Sequence, residues 1–162
     1  MIYIQAETAQ DIAEILRLQR KDVNERINAD EVASRLLGQK KASPGMVITA
    51  PRRSGKTTEL LRFAEEKFPG SQYCVVSMNY EVQRQIIRKH WELFNAANVA
   101  KKLKGQATEG NEVNPPLMLT PDVLHLNRGR NSPMFCDEWN LFSEETQNAI
   151  LETGLFVAAV TS

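Results

Sequence analysis

The stretch that most constrains this chain runs from Met46 to Thr58, MVITAPRRSGKTT. A short apolar run leads into a turn, and the turn leads into Glu59-Leu60-Leu61-Arg62-Phe63-Ala64, whose apolar spacing is helical, so the order is strand, loop, helix. Within it, Ala50-Pro51-Arg52-Arg53-Ser54-Gly55-Lys56-Thr57 matches G-x-x-x-x-G-K-[ST] at every fixed position except the first, where Ala replaces Gly. A loop of this kind turns successive backbone N–H groups inward. The helix behind it adds unpaired amides and the positive end of its dipole, and together these suit a polyphosphate. Gly55 lets the backbone come close to such a ligand. Lys56 is placed for the β- and γ-phosphates, and the Thr57 hydroxyl for a Mg²⁺ ion otherwise ligated by phosphate oxygens and water. Pro51, Arg52, Arg53, Ser54 and Thr58 complete the expected binding loop.

About 80 residues further on, Pro133-Met134-Phe135-Cys136-Asp137-Glu138 reads as an apolar strand ending in two adjacent carboxylates. Asp137 is expected to hold Mg²⁺ directly or through water, and Glu138 to orient, or take a proton from, a water attacking the γ-phosphate. The same pair also reads as an acidic approach to the helix announced by Ser143-Glu144-Glu145. A second carboxylate beside the metal-binding one favours hydrolysis over simple phosphate transfer. No guanine-reading motif is evident, so ATP is the expected nucleotide.

Composition sets the remaining bounds. Among 162 residues, 42% are hydrophobic, enough for one domain with a real core. Lys plus Arg and Asp plus Glu each number 20, so a polyanion-binding surface would have to be local. Cys74 and Cys136 both lie in apolar runs and read as buried thiols of a reducing compartment. The longest apolar run, Leu155 to Val160, is far too short to cross a bilayer, and no targeting segment opens the chain; a cytoplasmic protein without membrane association is expected.

The chain divides into a helical N-terminal extension, 1–45, and a nucleotide-binding core, 46–162, within a single domain. Residues 1–40 read as mainly helical, with Thr8 as an N-cap, Ile12, Ile15, Leu16 and Val23 on one face, and a second helix from Asn28. In the core, strands are expected at Met46–Thr49, Tyr73–Ser77, Leu117–Thr120, Pro133–Glu138 and Leu155–Val160. Helices are expected over Lys56–Lys67, Glu81–Ala97 and Glu144–Glu152, with an exposed loop over Lys101–Pro115. That alternation predicts a three-layer α/β fold, a P-loop NTPase with a mostly parallel sheet of about five strands and its ligand at the strands' carboxyl ends. The hydroxyls of Thr161 and Ser162 then either sense the γ-phosphate or belong to an unordered end.

TAPRRSGKTT, the turn NRGRNS and the strand MFCDEWNLF together resemble the ATPase domain of the large terminase subunits that package viral DNA, over about residues 46–162. The wider relatives are helicase-like motor ATPases. The resemblance implies that Arg52, four residues before the loop lysine, acts in cis on the γ-phosphate, with Arg53 the adjacent alternative, and that Thr161-Ser162 is a coupling motif. It implies an ATP hydrolase using Mg²⁺, with double-stranded DNA, further copies of the chain, or a viral or host protein supplying missing domains as partners. Such a terminase continues into a second ATPase subdomain and a nuclease, so a core without its usual attachments is expected here. The adenine-contacting glutamine of that family has only Gln19 and Gln39 as candidates. Two other classes stay open: a nucleotide-binding regulatory or adaptor module with little turnover, and a small P-loop kinase.

Overall fold

Strands that are apolar at every position can be buried only where both faces of a sheet are covered, and this sequence has several of them. In a computed structural model of the protein, which describes residues 2–17, 45–96, 101, 103–105 and 112–162, six strands pair in parallel. They are β1 (Ile2–Gln5), β2 (Met46–Thr49), β3 (Cys74–Val76), β4 (Leu117–Leu119), β5 (Met134–Asp137) and β6 (Phe156–Thr161), in spatial order β1-β2-β6-β5-β3-β4. Between them run α1 (residues 9–17 as described), α2 (Lys56–Lys67), α3 (Tyr80–Phe94) and α4 (Glu144–Glu152), with 3-10 segments at Pro121–Asn127 and Trp139–Leu141.

The period-2 alternation of the strands sorts the core onto two faces. Met46, Ile48, Val75, Phe135, Ala158 and Val160 face α1, α2 and α3, together with Ile12, Leu16, Leu60, Leu61 and Ile86. Phe135 is the hub on this side, in edge-to-face contact with Phe63, Phe68 and Tyr73 at centroid distances of 6.2, 6.0 and 5.6 Å. Val47, Cys74, Val76, Cys136 and Ala159 face the other way, toward α4 and the 3-10 segments. There Trp139 stacks on Phe156 with centroids 4.9 Å apart. A Cβ on Gly45 would lie 2.0 Å from that Phe156 ring, so only glycine fits where the chain enters β2.

Two expectations need correcting. The first residues are not helical: Ile2–Gln5 is an edge strand paired residue for residue with Met46–Thr49. Its alternating half-buried and exposed positions are those of a strand with one covered face. It is too short for periodicity to announce it, and it brings the strand count to six instead of about five. The helix expected from Asn28, and Gln19 and Gln39, lie outside the described residues. Toward the end of the Lys101–Pro115 stretch the chain is anchored: the buried Asn95 amide accepts from Val113 N at 2.8 Å and donates to Val113 O at 3.0 Å. Cys74 and Cys136 are free and buried, and burial pushes the Cys74 thiol up to about 12. Among the described residues, no helix is long and apolar enough to cross a membrane.

Candidate functional site

β6 lies between β2 and β5, which brings the ends of three strands into one row. Thr49 pairs with Thr161, and Val160 pairs with Asp137. The row stands at the carboxyl edge of a parallel sheet, where an open α/β fold leaves its ligand crevice.

The loop after β2 has the backbone expected of an anion cradle. Arg53 adopts φ 60° and Gly55 φ 81°, both left-handed, while Ser54 N closes a turn onto Pro51 O at 3.3 Å. Left-handed residues interleaved with right-handed ones turn neighbouring amides toward a common point. Gly55 is the N-cap of α2 and supplies no side-chain acceptor, so no cap competes for the first-turn amides. The Ser54 hydroxyl is buried without a hydrogen-bond partner among the described residues. Pro51, Arg52 and Arg53 are exposed, Thr57 and Thr58 half-buried, and Lys56 buried.

Thr57 Oγ1 donates to Asp137 Oδ1 at 2.8 Å, and Lys56 Nζ stands 3.2 Å from Glu138 Oε1. Both carboxylates at the end of β5 therefore meet the first turn of α2. Burial pushes the Asp137 carboxyl above its ordinary range; the Thr57 hydroxyl pulls it down, the Glu138 charge pushes it further up, and Lys56 and Lys89 oppose that rise. Glu138 has φ 51° and ψ 54°, a strained conformation for a non-glycine residue, which turns its side chain out of the strand's alternation.

Glu138 has a third neighbour. Ser162 N donates to its Oε2 and Ser162 Oγ to its Oε1, each at 3.2 Å, while Thr161 Oγ1 accepts from Asn140 N at 3.1 Å. The end of β6 thus clasps the 138–140 turn, an arrangement that the two hydroxyls alone did not identify in the sequence.

The N-terminal segment also reaches the loop. Ala6 N donates to Thr49 O at 2.8 Å, and α1 starts against the loop closely enough that a Cβ on Gly55 would lie 3.3 Å from the Ala9 Cβ. Thr8 Oγ1 accepts from Asp11 N at 3.2 Å while Asp11 Oδ2 accepts from Thr8 N at 3.1 Å, a reciprocal cap that fixes this start. The Thr8-x-x-Asp11 spacing is the signal for the cap; nothing in the sequence places it beside Gly55.

Among the described residues no three His, Cys, Asp or Glu side chains cluster as a metal cage. The oxygens available are those of Thr57 and Asp137, a set that fits Mg²⁺, which keeps waters and takes phosphate oxygens, better than a transition metal. No family model matches the chain, and neither a curated protein nor a solved structure matches it.

Proposed function

We propose that the chain is a Mg²⁺-dependent ATP hydrolase of the P-loop kind, resembling the motor domain of the viral DNA-packaging terminases. The observation that carries this reading is the 2.8 Å hydrogen bond from Thr57 to Asp137, which joins two sequence-distant segments at the place where a nucleotide-bound Mg²⁺ would need both. The insertion of β6 between β2 and β5 supports it, because it delivers Thr161 and Ser162 to the same edge.

In this reading the loop amides and Lys56 bind the β- and γ-phosphates, and Thr57 and Asp137 hold the metal. Bound Mg²⁺ offsets negative charge on the phosphate oxygens. Arg52, exposed on the loop, reaches over the γ-phosphate and offsets charge that spreads over it during transfer. Glu138, held at both oxygens by Ser162 and at one by Lys56, takes the proton of the attacking water once Lys56 has turned to phosphate.

A second reading, a nucleotide-responsive adaptor with little turnover, draws on the same contacts. Phosphate must displace Glu138 from Lys56, and the freed carboxylate remains tied to the end of β6, so binding is linked to movement of that strand end. Phosphate release by the purified chain with ATP, with and without Mg²⁺ and with added double-stranded DNA, separates the two. Turnover that needs Mg²⁺ and rises with DNA supports the motor. Tight Mg²⁺-ATP binding with negligible turnover supports the adaptor, and absence of nucleotide binding overturns both.

A further inference from the structure

We infer that a cavity at the amino-terminal edge of the sheet binds a small zwitterion of amino-acid or dipeptide size. This site is separate from the nucleotide site and does not depend on it. The cavity measures about 370 Å³, at the lower end of the range for small-molecule sites. Its apolar lining comes from Leu124, from Met134 at the start of β5 and from Leu155 just before β6, all buried or half-buried.

Its lining carries charges of both signs. His125 and Arg128 come from the 3-10 segment and the basic turn after it, and Glu152 from the last turn of α4. None of these three side chains makes a hydrogen bond or ion pair among the described residues, and all three residues are exposed.

One feature here runs against local stability. Glu152 puts a negative charge at the negative end of the α4 dipole, and no basic residue in that turn offsets it. Asn131, on the same rim, is held at φ 50°, outside the range most side chains prefer. Arg128 presents its five donors with no protein acceptor. The rim is nonetheless rigid: Asn127 Nδ2 donates to Ser132 O at 3.0 Å, Asn127 Oδ1 accepts from Ser132 N at 3.1 Å, and Asn131 N donates to Asn127 O at 2.9 Å. A preformed concave surface with unspent charges of both signs is suited to a ligand that brings the complements.

The chemistry of the lining offers a partner for each group of that ligand. An ammonium group is drawn to Glu152 and the carbonyl end of α4, a carboxylate to Arg128 and His125, and an aliphatic side chain lies on Leu124, Met134 and Leu155. A simple anion leaves Glu152 unmatched, and a simple cation leaves Arg128 unmatched.

The test is calorimetric titration of the whole chain with the common amino acids and with leucyl-leucine. For any compound that binds, its N-acetylated and C-amidated forms follow. The expected result is saturable one-to-one binding of at least one zwitterion. Acetylation and Glu152→Gln should each weaken it by about tenfold or more, as should amidation and Arg128→Gln. Both substituted residues are exposed, so neither variant should unfold at a lower temperature than the parent. Lys56→Ala should leave this binding unchanged. No binding by any compound, binding equally strong for the acetylated and amidated forms, or binding that survives both substitutions would overturn the inference.

Discussion

Lys56 Nζ lies 3.2 Å from Glu138 Oε1, so the residue assigned to the phosphates and the one assigned to the attacking water neutralise each other directly. If Lys56 binds phosphate as proposed, the phosphate has to compete with Glu138 for the ammonium. Glu138→Gln would then remove the competitor and the proposed base together. Mg²⁺-ATP should then bind at least as tightly as to the parent, while turnover drops by about 10²–10⁴-fold. Binding of a fluorescent ATP analogue and phosphate release measure the two effects separately; turnover at the parent rate would remove Glu138 from its assigned role. Lys56→Ala should weaken nucleotide binding by at least about one to two orders of magnitude.

Asp137 is buried with a carboxyl that burial holds above its ordinary value, so its charged form opposes folding near neutral pH. Asparagine fills the same space and can still accept from Thr57. Asp137→Asn should therefore raise the melting temperature of the protein without nucleotide, by about 2–4 °C for a gain near 1 kcal/mol. It should also abolish the further rise that Mg²⁺-ATP is expected to give the parent under the proposed function. Loss of stability without nucleotide would show that the carboxylate is compensated by more than its observed partners.

Arg52 and Arg53 are adjacent and both exposed, but only Arg53 is in the left-handed region. If Arg52 offsets charge on the γ-phosphate, Arg52→Ala should lower turnover by about 10³-fold or more. Arg53→Gly relaxes the backbone and should leave turnover within a few-fold of the parent. Single-turnover phosphate release for the two variants decides between them, and the opposite ranking would move the role to Arg53.

A pH effect on stability should come from the other end of α2. Glu65 Oε2 accepts from Tyr73 OH at 3.0 Å and lies 3.3 Å from His90 Nε2, and Ser71 N donates to Oε1 at 3.0 Å. Burial alone would raise the Glu65 carboxyl, but His90, Tyr73 and Ser71 together hold it below its ordinary 4.5. Burial lowers His90 below its ordinary 6.5, outweighing the upward pull of Glu65, so at neutral pH the pair is a neutral imidazole donating to a carboxylate. Both groups bind protons more readily in the unfolded chain, so both stabilise the fold above their unfolded values and lose that contribution as pH falls through their folded ones. Urea unfolding should show stability declining first below about pH 6.5 and again below about 4.5. His90→Phe should remove the upper step.

The loop from Ala50 to Thr57, the strand ending in Asp137-Glu138 and the helix over Lys56–Lys67 were legible in the chain. Each is a local pattern: apolar runs bounded by turn residues, and a glycine and lysine at fixed spacing. β1 was not legible, because four alternating residues acquire strand character only from the β2 edge that they join.

The sequence by itself determined an α/β alternation and the residue types of the candidate site, since both are written in short-range spacing. Only the tertiary structure decided that β6 enters between β2 and β5, that Ser162 clasps Glu138 while Lys56 pairs with it, and that Ala9 backs Gly55. Strand order depends on which crossover lets both faces of a sheet be buried at once. That is a property of the whole packed core, and no window of residues contains it.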